Sequence, residues 1–164
     1  MRVHTLQIAG FLFVTLLIGC GDASQSPQET IVPTEIEYIS GECPVTLPGE
    51  TVKFAGANFN HGKDGVWTTL WPQGTVTFRP DGPGHVNSNG SMSMKFPWWS
   101  LIEDSLTIEG RRLDSPGKMA SHTEGRLSTG FVPSGITFPS EGCWEVTGSV
   151  GDASLTFVTL AVKV

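Results

Sequence analysis

From residue 43 onwards the chain alternates short apolar runs with turn-forming residues. The runs are rich in Val, Thr, Phe, Trp and Ile, and Gly, Pro, Asn and Asp separate them. No stretch keeps the 3.6-residue period of an amphipathic helix. Residues 91–99 form one such run, and Leu106, Ile108 and Gly110 alternate with polar neighbours, which indicates a strand with one buried face. The pattern predicts an all-β domain over residues 43–164.

Turn chemistry predicts how some of these strands are connected. Residues 66–71 and 75–79 flank Pro72-Gln73-Gly74, in which proline presets the first turn dihedral and glycine takes a left-handed one. This combination predicts a hairpin. Residues 115–128 are polar and rich in Ser and Gly, and we expect them to form a long loop.

The C-terminus carries the strongest local signal. Gly151-Asp152 fits a two-residue type II′ turn, and that turn fixes the register of the strands on either side. The predicted pairs are Val150 with Ala153, Val146 with Phe157, and Trp144 with Thr159. One face of this hairpin then collects the apolar side chains Trp144, Val146, Leu155 and Phe157. A slip of one residue would expose that set, so the register should be well determined.

About seven to eight strands without helices favour a two-sheet antiparallel sandwich. The corner from Pro139 to Gly142, followed by the last hairpin, resembles the ending of many bacterial immunoglobulin-like modules. We therefore predict an immunoglobulin-like β-sandwich. Residues 96–99, 109–114 and 142–148 also resemble a pattern in uncharacterised exported bacterial proteins, and that resemblance implies no activity.

The N-terminus has a different pattern. Arg2 precedes a nearly unbroken apolar run that ends at Leu17-Ile18-Gly19-Cys20, as in a secretory signal peptide. The run is too short for a spanning helix, which needs about 20 residues. Leu17-Ile18-Gly19-Cys20 resembles the lipobox of bacterial lipoproteins. The resemblance implies that the Cys20 thiol receives a diacylglyceryl group and that cleavage just before it makes Cys20 the mature N-terminus.

These patterns divide the chain into three parts. Residues 1–19 are the predicted lipoprotein signal peptide, residues 20–42 the lipidated N-terminus with a flexible tether, and residues 43–164 the sandwich. The first part of the tether is too poor in apolar residues to offset the entropy of ordering. Later in the tether, residues 31–39 include enough β-branched and aromatic side chains to be a candidate edge strand.

Charge and targeting together define the expected partners. Removal of residues 1–19 leaves 9 basic and 16 acidic residues, a formal charge of −7. No basic cluster longer than Arg111-Arg112 is present, so nucleic acid is disfavoured as a partner. The predicted attachment is to the bacterial cell membrane through lipid on Cys20, on the extracytoplasmic face. The outer membrane and the cell surface both remain open.

Cysteine usage agrees with export. With Cys20 lipidated, Cys43 and Cys143 remain as an even pair in a compartment that permits oxidation. We predict that they form a disulfide, with two buried thiols as the alternative. The bridge would close a loop of about 100 residues and stabilise the fold by about 4.7 kcal/mol in the chain-entropy description.

Catalytic signatures are scarce in this sequence. There is no Gly-x-Ser-x-Gly elbow, phosphate-binding loop or dinucleotide fingerprint. The one candidate metal cluster is His61, Asp64, Asp81 and His85, which could converge from neighbouring hairpin ends, although solvent-exposed loops are the ordinary place for such residues. We therefore expect no enzymatic activity, no metal and no cofactor.

Aromatic residues suggest the candidate contact surface. Trp98 and Trp99 are adjacent on a predicted strand and must point to opposite faces, so one of them faces outwards. That residue could contact a ligand, or it could pack under the loop 115–128. The sequence thus favours a non-catalytic envelope module that binds a protein or glycan. The alternatives are a structural accessory domain of an envelope complex and a metal-dependent hydrolase.

Overall fold

The computed structural model describes residues 42–82, 84–123 and 129–164. The predicted signal peptide, the lipidation site Cys20 and the candidate edge strand 31–39 lie outside the described residues. Within the described ranges the chain forms twelve β-strands, a single 3-10 turn at Pro72–Gly74 and no α-helix. The strands are β1 Val52–Phe54, β2 Ala57–Phe59, β3 His61–Lys63, β4 Val66–Thr68, β5 Thr75–Phe78, β6 Gly84–Val86, β7 Met92–Ser100, β8 Leu106–Arg112, β9 Ala120–Thr123, β10 Gly130–Phe138, β11 Gly142–Val150 and β12 Ala153–Lys163.

Two sheets pack face to face around one apolar core. The six-stranded sheet has the order β3-β4-β7-β10-β9, and β6 pairs with β7 beside that path. The four-stranded sheet has the order β5-β12-β11-β8, and β1 and β2 form a separate hairpin. The predicted all-β sandwich is confirmed. Its strand number was underestimated, because β1, β2, β3, β4 and β6 have only three residues each.

The predicted C-terminal hairpin is confirmed. Val150 pairs with Ala153, Val146 with Phe157, and Trp144 with Thr159. Gly151 has a positive φ of 56°, as the first central residue of a type II′ turn requires. The four predicted face residues, Trp144, Val146, Leu155 and Phe157, are all buried.

The predicted hairpin at Pro72–Gly74 is wrong. Both edges of β4 are already paired, with β3 on one side and β7 on the other, so β5 crosses to the four-stranded sheet. There β5 runs parallel to β12, which also departs from the predicted antiparallel arrangement. The turn at Gly74 directs this crossover. A Cβ at Gly74 would lie 2.5 Å from the Val45 Cβ. Residues 43–46, which we call the incoming segment, therefore occupy the space that a side chain at position 74 would need.

The predicted loop 115–128 is only partly a loop. Its residues 120–123 form β9, which pairs antiparallel with β10 and thereby extends the six-stranded sheet. The side chains of β9 are almost all exposed, because this strand lies at the sheet edge. Because β9 is polar, it lacks the alternation of apolar residues by which a strand is predicted from sequence.

Alternation along the two long central strands builds the core. On β7 the side chains of Met92, Met94, Phe96 and Trp98 point inwards, and β10 contributes its own alternate residues. Trp98 is 1% exposed and lies over Gly148 of the opposite sheet, where a Cβ would be 2.3 Å from the ring. The Trp98 ring thus fills the space that Gly148, which has no side chain, leaves in the opposite sheet.

A disulfide joins Cys43 to Cys143 on β11, with Cα atoms 5.4 Å apart. This agrees with the predicted pairing. The same incoming segment continues onto the edge of β12, where the Thr46 backbone N–H donates to the Val158 carbonyl at 2.8 Å. The bridge and this hydrogen bond fix the entry of the chain into the domain.

Candidate functional site

The outer face of the six-stranded sheet carries the candidate site. Since the even-numbered residues of β7 point into the core, its odd-numbered residues point outwards. The same holds for the residues that pair with them on β4, β6, β9 and β10. Register therefore decides which outward side chains are neighbours.

One end of this face is aromatic. Trp67 on β4, Trp99 on β7 and Phe131 on β10 lie directly opposite one another across three adjacent strands. Phe54 of the β1–β2 hairpin stacks on Trp99 with ring centroids 5.1 Å apart and an interplanar angle of 11°. Phe131 is 52% exposed at the rim of this cluster. We call Phe54, Trp67, Trp99 and Phe131 the aromatic end.

The structure separates the two predicted contact residues. Trp98 lies in the core between Phe96 and Phe157, with ring centroids 5.7 and 6.4 Å away, because the inward alternation of β7 includes it. It is not on the surface. Trp99 faces outwards and is half-buried, and Phe54 of the β1–β2 hairpin stacks on it. The loop 115–128, the cover predicted from the sequence, lies in part (residues 124–128) outside the described residues. Sequence reasoning missed Phe131, although its position on an alternating strand was a usable signal.

Two prolines lie next to the aromatic end. Pro97 of β7 pairs directly with Pro133 of β10. Two residues without N–H groups can face each other in central strands only where the missing donors point away from the shared ladder. β4 ends its pairing at Trp98 and β6 at Met94, so Pro97 lies between them, and β9 ends its pairing opposite Ser134. The two proline rings therefore form an apolar stretch between the aromatic end and the far end of the face.

The far end of the same face is a groove of about 550 Å³ between β6, β7, β10 and β9. Lys95 and His122 flank Gly135, since each pairs directly with it on one side. His85 lies opposite Ser93, two residues along β7 from Lys95. None of the described residues lining this groove is acidic. We call it the basic groove.

Hydroxyl groups form the base of the basic groove. Ser93 Oγ and Thr137 Oγ1 are 2.8 Å apart and share a hydrogen bond. Asn87 Nδ2 also donates to Ser93 Oγ at 2.8 Å, which fixes the position of that oxygen. These groups are polar, uncharged and held by the sheet.

The candidate metal cluster is not assembled. His61 on β3 has its ring Nε2 3.3 Å from the Thr156 carbonyl of β12, whereas His85 lies on β6 at the basic groove. Asp64 and Asp81 lie in separate turns and are exposed. Across residues 42–82, 84–123 and 129–164, no three His, Cys, Asp or Glu side chains lie close enough to hold a metal ion. The four residues are close in sequence but do not converge, because β3 and β6 occupy different parts of the sheet.

Ion pairs concentrate on the four-stranded sheet and its edge. Arg111 Nε lies 2.6 Å from Glu145 Oε1 across β8 and β11. Arg112 donates to both carboxylate oxygens of Asp114. The hydrogen bond between Arg112 and Asp114 lowers the pKa of the Asp114 carboxyl and raises the pKa of the Arg112 guanidinium. The Cys143 backbone N–H also lowers the pKa of Asp114. These cations are neutralised by their neighbours and are not available to a ligand.

Two further findings concern the chain as a whole. Among the described residues no helix is long and apolar enough to cross a membrane. Comparisons with protein-family models, curated proteins and solved structures found no match to this chain.

Proposed function

We propose that this chain is a bacterial lipoprotein, anchored by lipid on Cys20 at the extracytoplasmic face, whose β-sandwich is a non-catalytic binding module. The outer face of the six-stranded sheet is its binding face. The observation that carries the proposal is the exposed Phe131 beside Trp99 on a face that continues, past the Pro97–Pro133 pair, into the basic groove.

Three cysteines support a compartment outside the cytoplasm. The disulfide between Cys43 and Cys143 supports an oxidising compartment, because thiols are ordinarily kept reduced in the cytosol. The lipobox-like sequence at Cys20 agrees with that environment. Since a single acyl chain anchors only marginally, stable attachment requires the two or more chains that a lipidated Cys20 carries.

The position and exposure of Phe131 support the choice of binding face. Phe131 lies within a nine-residue strand, so its position costs little further ordering when a partner binds. Aromatic side chains held in this way contribute strongly to interface energies. Trp99, which pairs directly with Phe131, is itself held by the stack with Phe54. An envelope glycan or protein laid across this face would contact aromatic, apolar and basic groups in turn.

Lipidation is tested by mass spectrometry of the N-terminal peptide from the membrane fraction of an expressing bacterium. The proposal expects a peptide that begins at Cys20 and carries the mass of the acyl groups. The Cys20→Ala variant should leave the membrane fraction. An unprocessed chain that begins at Met1 in the cytoplasm would refute the placement.

Binding is tested by sedimentation of the purified mature lipoprotein, kept in mild detergent, with peptidoglycan sacculi and other envelope glycans. Phe131→Ala should reduce retention about tenfold, as truncation of an aromatic residue that anchors an interface does. Leu47→Ala is the matched control, because Leu47 is 64% exposed on the segment next to β12. Equal retention of both variants would refute the assigned face, and no retention of the wild type on any of these glycans would favour the structural accessory role.

A further inference from the structure

We propose that the basic groove binds the anionic group of an acidic sugar, either a carboxylate or a phosphate, between Lys95 and His122. The inference rests on the proposed function, because the groove lies on the proposed binding face. It assigns a ligand class to one end of that face.

The register of three strands builds the groove. Lys95, Gly135 and His122 form one row across β7, β10 and β9. Neighbouring strands lie about 4.8 Å apart, so the Lys95 and His122 backbones are separated by about 10 Å. Gly135 has no side chain to fill the space between them. An anion with nitrogen donors on both sides, each about 2.8 Å away, fits this width.

No described acidic residue neutralises the charge of the groove. Lys95 takes part in none of the ion pairs found among the described residues, and its nearest cross-strand partner is glycine. The chain as a whole has a net charge of −6, so a groove whose described lining contains no acidic residue is a local exception. Such a patch attracts anions and repels cations. The imidazoles of His85 and His122 add hydrogen-bond donors at its two sides.

The hydroxyls at the base indicate a sugar rather than a bare ion. The Thr137 hydroxyl shares one hydrogen bond with Ser93 and keeps acceptor capacity for a further donor. Sugar hydroxyl groups are donors and acceptors of this kind. A volume of about 550 Å³ lies within the range of small-ligand sites and accommodates one or two sugar rings.

The experiment titrates the purified mature lipoprotein, in mild detergent, with glucuronate, glucose 6-phosphate and glucose by calorimetry. At about 20 mM NaCl both anionic sugars should bind with a Kd on the order of 1 mM, and glucose should not bind measurably. Raising the salt to about 300 mM should weaken both anionic sugars several-fold. Vesicles of phosphatidylglycerol form a separate arm, since a lipid headgroup also carries a phosphate.

Two variants localise the site. Lys95→Gln should weaken binding about tenfold, the loss expected for one charge-assisted contact, whereas Lys53→Gln on β1 should not change it. Gly135→Leu places a side chain between Lys95 and His122, with only the Met94 carbonyl near its Cβ, at 3.7 Å. It should therefore fold normally and abolish binding. Circular dichroism confirms the fold of each variant.

Each outcome decides the proposal. Binding that Lys95→Gln and Gly135→Leu reduce, and Lys53→Gln does not, supports it. No response to either anionic sugar, equal binding of glucose, or retention by vesicles alone would overturn it. If Phe131→Ala still reduces glycan retention while the anionic sugars give no response, the ligand class fails and the proposed binding face stands.

Discussion

Gly148 on β11 should not tolerate even a methyl group. A Cβ at this position would lie 2.3, 2.5 and 2.8 Å from three atoms of the six-membered ring of Trp98. Ordinary carbon contacts are about 3.5–4.0 Å, so the ring would have to retreat by more than about 1 Å. Phe96 and Phe157 contact Trp98 and leave it 1% exposed, which blocks that movement.

The expected cost of Gly148→Ala is about 3 kcal/mol, the upper part of the range for overpacked cores. With a urea m-value of about 2 kcal/mol/M, the unfolding midpoint should fall by about 1.5 M. The contacts involve ring atoms that phenylalanine lacks. Trp98→Phe in the Gly148→Ala background should therefore recover part of the loss, and a double-mutant cycle should show coupling above about 1 kcal/mol.

Gly135→Ala is the matched control, since Gly135 also lies within a nine-residue central strand. There a Cβ would approach only the Met94 carbonyl, at 3.7 Å. We expect this variant to be neutral or slightly stabilising, because glycine costs entropy in a strand. Urea unfolding should be followed by circular dichroism, which Trp98 substitutions affect less than fluorescence. A Gly148→Ala midpoint equal to or above that of Gly135→Ala would refute the packing argument.

Three further outcomes follow from other parts of the molecule. The Cys43→Ser, Cys143→Ser double variant should lose about 4–5 kcal/mol of unfolding free energy in denaturant titrations, since the bridge spans a sequence separation of 100. Reductant should destabilise the wild type by a similar amount and leave the variant unchanged. Two free thiols, detected by mass in wild type purified without reductant, would contradict the bridge. Asp114→Asn should cost about 0.5–1 kcal/mol at pH 7, because this partly exposed pair is screened by solvent. As the folded pKa of Asp114 is lowered, its contribution is present above the unfolded value and is lost as pH falls through the folded one, so wild type and variant should converge in acid, and a gap that widens there would contradict the assignment. Phe54→Ala should expose Trp99 and shift tryptophan emission to longer wavelength, whereas Val52→Ala, at a 40% exposed site of the same hairpin, should not.

Local sequence determined the features whose physics is local. The type II′ turn at Gly151-Asp152 and the alternation on both sides of it fixed nine residue pairs of the last hairpin, because a two-residue turn leaves no freedom of register. The opposite orientation of Trp98 and Trp99 follows from the two-residue period of any strand. The predicted signal peptide and Cys20 depend on local sequence alone. The cysteine pair was predicted by elimination, once Cys20 had been assigned to lipid.

Tertiary structure decided which strands become neighbours. Pro72–Gly74 has the chemistry of a hairpin turn, yet β5 joins the opposite sheet because β3 and β7 occupy both edges of β4. Trp98 and Gly148 meet across the core from positions 50 residues apart by number. Lys95, Gly135 and His122 become one row only when β7, β10 and β9 pair. Such contacts depend on the closure of long loops and on competition for sheet edges, and neither is encoded in a short window of sequence.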